Sequence, residues 1–264
     1  MKQVPFFQVD AFTDEIFKGN PAAICVLDAW PDDQVLRNIA IENNLAETAY
    51  IIAENDGFAI RWFTNLGEID LCGHATLASA HVVFQHLGYE KPRVRFTTRH
   101  VGALIVTYRD GNYVMDFPAR AAIEETLTPG AIVDGLGGAK PVRTFVARDY
   151  MAVFQDVETI LNLQPDFRTL AKAGKMIAVT APGRDCDYVS RFFCPGDSVE
   201  EDPVTGSAHC MMAPYWAKAL GKNDLTAIQY SPRGMAGILC RVVGDRVELR
   251  GKAVTVIVGS LILP

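Results

Sequence analysis

Two short stretches of the chain combine polar side chains with a glycine directly before a long apolar segment. The first is Cys72-Gly73-His74, and the second is Glu201-Asp202-Pro203-Val204-Thr205-Gly206-Ser207. If each apolar segment is a helix, its first-turn N–H groups carry partial positive charge and have no partner within the helix. The pattern therefore predicts that a small anion binds at Gly73-His74 and at Gly206-Ser207.

Glu47, His74 and Asp202 are the candidate proton-transfer groups. Glu47 is expected in a short loop between a helix and a strand, where an acid is more often solvated surface than a base. An acid just before a helix, as at Asp202, is commonly a cap. His74 at a helix start is as much a candidate for packing as for chemistry, and the helix dipole predicts a lowered pKa for it.

Four residues have side chains suited to zinc, namely Cys72, His74, His209 and Cys210. Their spacing matches no zinc finger or ribbon, and His209 falls inside an expected helix. The Gly-rich segment at 135–138 has no helix behind it that a phosphate could cap. The sequence therefore predicts no metal and no nucleotide cofactor.

The elements that must position these residues are two apolar helices. One is expected to open at Cys72-Gly73-His74 and to run to Leu87, and the other to open at Thr205 and to end at Leu220. Each is followed by a glycine suited to a left-handed helix end. A helix that is apolar on nearly every side is buried. Pro214 in the second helix predicts a kink or a shorter regular part.

The two helices are parts of a repeat. Gly73 and Gly206 are 133 positions apart, as are Gly88 and Gly221, and the flanking strands recur in the same order. Agreement at several points in one order predicts an internal duplication. Two helices that face each other across a two-fold cleft are the arrangement that such a duplication suggests.

The remaining segments predict an α+β protein of two pseudo-symmetric domains, each a β-sheet rolled around a central buried helix. The first domain is predicted to span 1–118 and the second 119–252. The strand expected within 253–264 has no counterpart in the repeat, so it is predicted to complete the first domain's sheet. A helix with a Gly-rich tail is predicted from Ile123 to Gly138.

The composition excludes several classes of protein. The 264 residues are 49% hydrophobic and 21% charged, which is typical of a globular protein. A net charge of −6 gives no basic field, so neither nucleic acid nor an anionic membrane is an expected partner. No apolar run reaches membrane-spanning length. Six cysteines without a close-paired framework, and a start without a signal-peptide pattern, predict a cytoplasmic protein.

Taken together, four groups of residues resemble the PhzF-like (phenazine-biosynthesis-like) isomerase family. They span nearly the whole chain in the family's order, and the last two are the specific ones. The matching segments are Val9-Asp10-Ala11-Phe12 with Gly19-Asn20-Pro21-Ala22, Leu45-Ala46-Glu47-Thr48, Leu71-Cys72-Gly73-His74-Ala75-Thr76, and Glu201-Asp202-Pro203-Val204-Thr205-Gly206-Ser207-Ala208.

The resemblance implies a diaminopimelate-epimerase-like fold, a homodimer, no cofactor and an active site in the cleft between two domains. In this family the glutamate matching Glu47 is the general acid/base, and the residues matching His74, Asp202 and Ser207 line the site. Those matching Gly73 and Gly206 supply backbone donors. The implied reaction moves a proton between carbons of a small anionic substrate. The resemblance indicates the class of this substrate, a cyclic or amino carboxylate, and not the individual compound.

Two alternatives remain open from the sequence. Cys72 before Gly73 also resembles the first motif of racemases and epimerases that use two cysteines, although the second helix start offers Pro203-Val204-Thr205 where the partner thiol is needed. The chain is also compatible with a ligand-binding protein that kept the scaffold without turnover. The combination of Glu47, His74 and Asp202 favours the isomerase.

Overall fold

The structure is a computed structural model that describes residues 2–196 and 199–263. Residues 1, 197, 198 and 264, which the predicted domains include, lie outside the described residues. The chain divides into two compact units, Met1–Asp116 with Arg250–Pro264 (unit 1) and Phe117–Leu249 (unit 2). Strands dominate and helices are few, which confirms the α+β class.

The strands in chain order are β1 (Lys2–Ala11), β2 (Asn20–Leu27), β3 (Glu47–Glu54), β4 (Gly57–Phe63), β5 (Glu68–Ile69), β6 (Arg93–Thr97), β7 (Ala103–Arg109), β8 (Asn112–Pro118), β9 (Ile123–Glu125), β10 (Arg143–Val146), β11 (Tyr150–Val153), β12 (Ile177–Pro182), β13 (Tyr188–Phe193), β14 (Asp224–Ser231), β15 (Gly234–Val243), β16 (Arg246–Gly251) and β17 (Ala253–Leu263). The helices are α1 (Asp33–Asn43), α2 (Gly73–His86), α3 (Gly130–Gly135), α4 (Val157–Asn162), α5 (Phe167–Leu170) and α6 (Gly206–Leu220), with a 3₁₀ turn at Ala171–Ala173. Within the described ranges, no helix has both the length and the apolar character that crossing a bilayer requires.

In unit 1 the sheet surrounds α2. Strand β1 pairs antiparallel with β17 and with β2, β2 pairs parallel with β3, and β3 pairs antiparallel with β4. Strand β4 pairs parallel with β6, which continues antiparallel into β7 and β8. Helix α2 contacts β1, β2, β3, β7 and β17, and its ten residues from His74 to Val83 are all buried. The predicted all-round burial of this helix is confirmed.

Unit 2 is built in the same way around α6, which begins 133 positions after α2. Strands β9, β10 and β11 are antiparallel, β11 and β12 are parallel, and β13 pairs antiparallel with β12 and parallel with β14. Helix α6 contacts β14 and β15. The short helices α3, α4 and α5 contribute apolar residues to a second core on the same sheet.

The helix predicted from Ile123 to Gly138 is wrong. Residues Ile123–Glu125 form β9, which pairs antiparallel with β10, and only Gly130–Gly135 is helical. Pro129 precedes that helix, and a proline disfavours helical geometry in the residue before it. The proline therefore separates the strand from a helix of less than two turns.

Helix α6 continues through Pro214 to Leu220, so the predicted shortening of its regular part is wrong. A proline inside a helix leaves the carbonyl four residues earlier, here that of Cys210, without its donor. The Arg120 N–H takes this place and donates to the Cys210 carbonyl at 2.9 Å. A donor from outside the helix thus satisfies the backbone group that Pro214 leaves open.

An arginine–glutamate pair anchors the loop before each central helix. In unit 1 the buried Arg61 of β4 donates to both carboxylate oxygens of Glu68 at 2.7 Å, and its third contact is Asp33. In unit 2 Arg191 of β13 binds both oxygens of Glu201, at 2.7 and 3.0 Å. Bidentate pairs of this kind fix position as well as charge. Each holds the chain a few residues before the helix start.

Glu68→Gln is expected to lower the free energy of unfolding at pH 7 by about 1.5–3 kcal/mol, the range for a hydrogen bond to a charged group. The hydrogen bond from Arg61 holds the pKa of Glu68 below its usual value. The stabilisation is therefore complete well above about pH 4.3, the pKa of an unpaired glutamate, and is lost as the pH falls through the lowered pKa. Denaturant titrations of wild type and variant, at pH 7 and at a pH below the lowered pKa of Glu68, measure the difference in unfolding free energy.

Asp56→Asn is the matched control, because Asp56 pairs with Lys91 at the surface. It is expected to change the unfolding free energy little at either pH. Equal effects of the two substitutions at pH 7 would contradict the special role of the buried pair.

Candidate active site

Two of the predicted catalytic residues meet at the start of α2. Glu47, predicted in a loop, is the first residue of β3, and its Oε2 atom lies 3.1 Å from Nε2 of His74. The side chains of Glu47 and His74 are 18% and 6% exposed. The two atoms are at ion-pair distance without the direction of a hydrogen bond, and neither has another hydrogen-bond partner among the described residues. The pair is thus close, poorly solvated and incompletely satisfied.

The other ring nitrogen of His74 also faces defined groups. Asn20, the fully buried first residue of β2, places its amide nitrogen 3.2 Å from Nδ1 of His74. The Cys72 sulfur lies 3.5 Å from the same Nδ1. Because β2 and β3 are parallel, with Ala22 opposite Glu47, their first residues approach the helix start together. The sheet therefore holds the imidazole from both sides.

The pKa of His74 is raised well above its usual value, so the predicted lowering is wrong. Burial is the largest single influence and acts to lower this pKa, but Cys72 and Glu47 together outweigh it. Burial also raises the pKa of the Cys72 thiol, which is therefore neutral near pH 7. Polar groups at contact distance therefore act on this imidazole more strongly than the partial charge of a helix end.

The charge of His74 also decides how Asn20 binds it. A neutral imidazole accepts at Nδ1 from the Asn20 amide N–H₂. An imidazolium donates from Nδ1, and the same amide meets it with its oxygen after a half-turn. Asn20 can therefore hold the ring in either state of protonation.

Both central helices begin with backbone donors that the described residues leave without a partner. These are the N–H groups of Gly73 and His74 in α2 and of Gly206 and Ser207 in α6. Thr76 N–H, in contrast, already bonds the Cys72 carbonyl at 3.1 Å. Each start thus presents two adjacent donors at the positive end of a helix, which is the arrangement that binds anions.

In unit 2 a fully buried glutamine organises the segment that carries Asp202. The Oε1 atom of Gln229 accepts from Thr205 N–H at 3.0 Å, and its Nε2 donates to the Asp202 carbonyl at 2.8 Å and to Thr205 Oγ1 at 3.2 Å. The Thr205 hydroxyl donates in turn to Oδ2 of Asp202 at 2.6 Å. Asp202, Gly206 and Ser207, all predicted from the sequence, are therefore held on one ordered segment.

A cation also lies at this second helix start. The guanidinium of Arg148, in the turn between β10 and β11, donates from Nη2 to Ser207 Oγ at 2.9 Å. It forms three hydrogen bonds of 2.7–3.1 Å with the carboxylate of Asp149, which is buried. Since a buried carboxylate needs a partner, Asp149 fixes Arg148 in place. The side chain of Arg148 stays half-exposed, with positive charge next to Ser207.

His209 and Cys210, considered as zinc ligands from the sequence, have other partners. Nδ1 of His209 lies 2.8 Å from the Tyr188 hydroxyl and Nε2 lies 3.2 Å from Gln229 Oε1. Burial lowers the pKa of His209 to about 4, so the ring is neutral at pH 7. The Cys210 thiol faces the Gly206 carbonyl at 3.5 Å. Both nitrogens of His209 are therefore used by the fold.

The sequence did not single out Asn20, Arg148 or Gln229. Gln229 did carry a signal, since it occupies an inward-facing position of the alternating strand β14, where a polar residue needs buried partners. Asn20 was visible only as part of the Gly19-Asn20-Pro21-Ala22 segment that contributed to the family resemblance. Arg148 had no signal, because its relevance depends on a turn that lies 59 positions before Ser207.

Comparison with known proteins gives one family over most of the chain. Residues 9–259 match the family model described as phenazine biosynthesis-like protein. An uncharacterized isomerase from Pseudomonas aeruginosa is 46% identical over 260 residues, which cover 98% of this chain and 99% of the relative.

Solved structures agree with this match. A phenazine biosynthesis protein of the PhzF family from Enterococcus faecalis is 41% identical, with a TM-score of 0.95 over 99% of this chain and 100% of the other. A hydroxyproline epimerase from Agrobacterium vitis is only 11% identical, with a TM-score of 0.60 over 98% of this chain and 92% of the other. The second likeness shows a shared fold, which agrees with the predicted epimerase-like architecture.

Gln229→Leu is expected to accelerate amide hydrogen exchange across residues 202–209 by about tenfold to a hundredfold. Leucine fills similar space but leaves Thr205 N–H and the Asp202 carbonyl unpaired, at a cost of about 1–3 kcal/mol for buried groups. Hydrogen-exchange mass spectrometry measures the effect. Gln155→Leu, at an exposed position of the same unit, is the control. Unchanged exchange in Gln229→Leu would contradict the organising role of this side chain.

Proposed function

The chain belongs to the family of phenazine biosynthesis-like proteins, and on this premise we propose that it is a cofactor-independent isomerase that moves a proton between two carbons of a small cyclic or amino carboxylate. The isomerase class is that of its curated relatives. The observation that carries the proposal is the Glu47–His74 pair, 3.1 Å apart at the start of a buried helix whose first N–H groups have no partner among the described residues.

Glu47 is the proposed general acid/base. It takes a proton from one carbon of the substrate and returns it to another. The imidazole of His74, 3.1 Å away, holds the carboxylate of Glu47 in position to accept. The side chain of Glu47 is partly buried, which leaves it open to a substrate on one side while His74 holds it on the other.

Removing a proton from carbon next to a carboxylate builds negative charge that must be stabilised as it forms. The N–H group of Gly73 in unit 1 is proposed to bind an oxygen of the substrate. Gly206 and the Ser207 hydroxyl are the substrate-binding groups proposed in unit 2. Asp202 is proposed as the second catalytic carboxylate, with its orientation set by Thr205. Arg148 next to Ser207 supports an anionic substrate.

The alternative of a two-cysteine racemase is less well supported. A thiol acts as a base in its ionised form, and burial raises the pKa of Cys72, which favours the neutral thiol. A ligand-binding protein without turnover has no need for a charged, incompletely bonded Glu47–His74 pair in its interior, because such a pair costs stability. Both alternatives are decided by the substitutions below.

Glu47→Gln is expected to reduce turnover by about 10²–10⁴-fold or more, because the amide keeps the shape but cannot accept a proton from carbon. Cys72→Ala is expected to keep most of the turnover. The measurement is the steady-state rate on a cyclic or amino carboxylate selected by screening purified enzyme.

Glu54→Gln, at the exposed far end of the same strand, is the control and is expected to leave the rate unchanged. Retained turnover in Glu47→Gln, or its collapse in Cys72→Ala, contradicts the mechanism. Failure of every screened carboxylate to turn over in the wild-type protein would favour the ligand-binding alternative.

We also propose that the protein is a cytoplasmic homodimer, with β17 in the interface. This strand has eleven residues and no charged side chain. Its residues Ile257, Val258 and Ile262 are 45%, 64% and 59% exposed to solvent. Charge or proline usually protects an exposed strand from association with another chain, and β17 has neither. A second copy that covers the strand would remove this apolar surface from water.

Light scattering at micromolar concentration is expected to give twice the 28.9 kDa of one chain. Val258→Lys is expected to shift the protein toward the monomer, because a charge opposes burial of the strand. Val142→Lys, at a comparably exposed valine of unit 2, is the control that should leave the mass unchanged. A wild-type protein that is monomeric throughout contradicts the dimer.

A further inference from the structure

The proposed proton transfer uses Glu47 and His74 but gives no task to Cys72 beside them. Ligand atoms of these three residues all lie within 4.8 Å of one another. Two of the residues are buried and the third is partly buried. In the described part of the chain, this is the one group of three such side chains so close together.

The three donors form the set that zinc prefers. Zinc binds thiolate, imidazole and carboxylate, and catalytic-type sites use three protein ligands and leave a fourth position open. Magnesium and calcium prefer oxygen ligands alone, which this group does not offer. The chemistry of the donors therefore selects a borderline-soft divalent cation.

The distances are close to those that a zinc ion requires. With its usual bond lengths, neighbouring ligand atoms around a tetrahedral zinc are about 3.4–3.6 Å apart. His74 Nε2 lies 3.1 Å from Glu47 Oε2, and Cys72 Sγ lies 3.5 Å from His74 Nδ1. The two distances end at different nitrogens of His74, whereas zinc binds only one of them. The side chains of Cys72, His74 and Glu47 must therefore move by about an ångström when zinc binds.

Two of the ligand atoms are also poised to accept a cation. Glu47 Oε2 and His74 Nε2 are buried, face each other and have no hydrogen-bond partner among the described residues. Buried polar atoms are nearly always bonded, and an exception points to a proton, water or ion that completes the site. A divalent cation bound by both atoms would satisfy them together.

We propose that Zn²⁺ binds Glu47, Cys72 and His74 and thereby inhibits the enzyme. Binding forms bonds from zinc to Sγ, to one imidazole nitrogen and to a carboxylate oxygen. The thiol proton of Cys72, and the ring proton of a charged His74, leave to solvent. While zinc is bound, the carboxylate of Glu47 is committed to the metal and cannot take a proton from carbon. The inhibition rests on the proposed role of Glu47, whereas the binding does not.

Cobalt(II) provides the test, because a cobalt–thiolate bond absorbs in the near ultraviolet. Purified wild-type protein titrated with CoCl₂ is expected to develop this band at one equivalent and to lose it when ZnCl₂ is added. Cys72→Ala and the volume-conserving Cys72→Ser are both expected to lack the band. In these variants, competition with a chromophoric chelator should show that the affinity for zinc is reduced by at least about 100-fold. This is the upper end of the loss observed when a residue that hydrogen-bonds to a metal ligand is removed.

Cys186→Ala is the matched control, since Cys186 is a half-buried free thiol outside the group. It is expected to keep the band. A wild-type protein without the band, a band that survives in both Cys72 variants, or a band lost in Cys186→Ala would each overturn the site.

Turnover is a separate readout that distinguishes this inference from the proposed function. ZnCl₂ is expected to inhibit the wild-type enzyme and to inhibit Cys72→Ser at least about 100-fold less potently, in line with the weakened binding. If Glu47→Gln abolishes turnover while no cobalt band forms in wild type, the acid/base role stands and the metal site fails. If the band forms at Cys72 while Glu47→Gln keeps full turnover, the metal site stands and the acid/base role fails.

Discussion

The structure depends on one constraint: a helix whose first turn lies mostly inside the protein presents N–H groups that have limited access to bulk water. Such groups need partners, because an unpaired buried donor costs about 1–3 kcal/mol. Both α2 and α6 begin in this way, and each leaves two adjacent N–H groups without a partner among the described residues. A ligand with negative charge is the partner that these positions favour, and the surrounding side chains follow from that requirement.

The two units meet the constraint with the same anchor and different chemistry. A bidentate pair, Arg61–Glu68 or Arg191–Glu201, holds the loop before each helix. Beyond this anchor, unit 1 places a carboxylate and an imidazole at the helix start, whereas unit 2 places Asp202 on a neutral network centred on Gln229. The repeated part is structural, and the part that differs is the part proposed to do chemistry. Duplication followed by divergence at the helix starts is a sufficient account of this asymmetry.

The sequence predicted what depends on local pattern and on the repeat. The buried helices and the residues at their starts followed from two long apolar segments and from the 133-residue offset between Gly73 and Gly206. It did not predict what depends on contacts between distant segments. The pKa of His74 is raised by Cys72 together with Glu47, which lies 27 positions earlier in the chain. Helix α6 continues through Pro214, and an N–H from outside the helix bonds the carbonyl that the proline leaves open. Helix and strand propensities cannot predict either contact, because each contact forms only when the chain has folded.

The most direct test of this account is whether the helix starts bind an anion. Amide resonances of Gly73 and Gly206 can be followed by heteronuclear NMR while benzoate, a small cyclic carboxylate, is added in the presence of EDTA. Gly88 and Gly221, at the opposite ends of the same two helices, provide the internal control. We expect saturable downfield shifts of the Gly73 and Gly206 amide protons, while the amide resonances of Gly88 and Gly221 keep their positions. Absence of any shift at Gly73 and Gly206, or equal shifts at all four glycines, would contradict it.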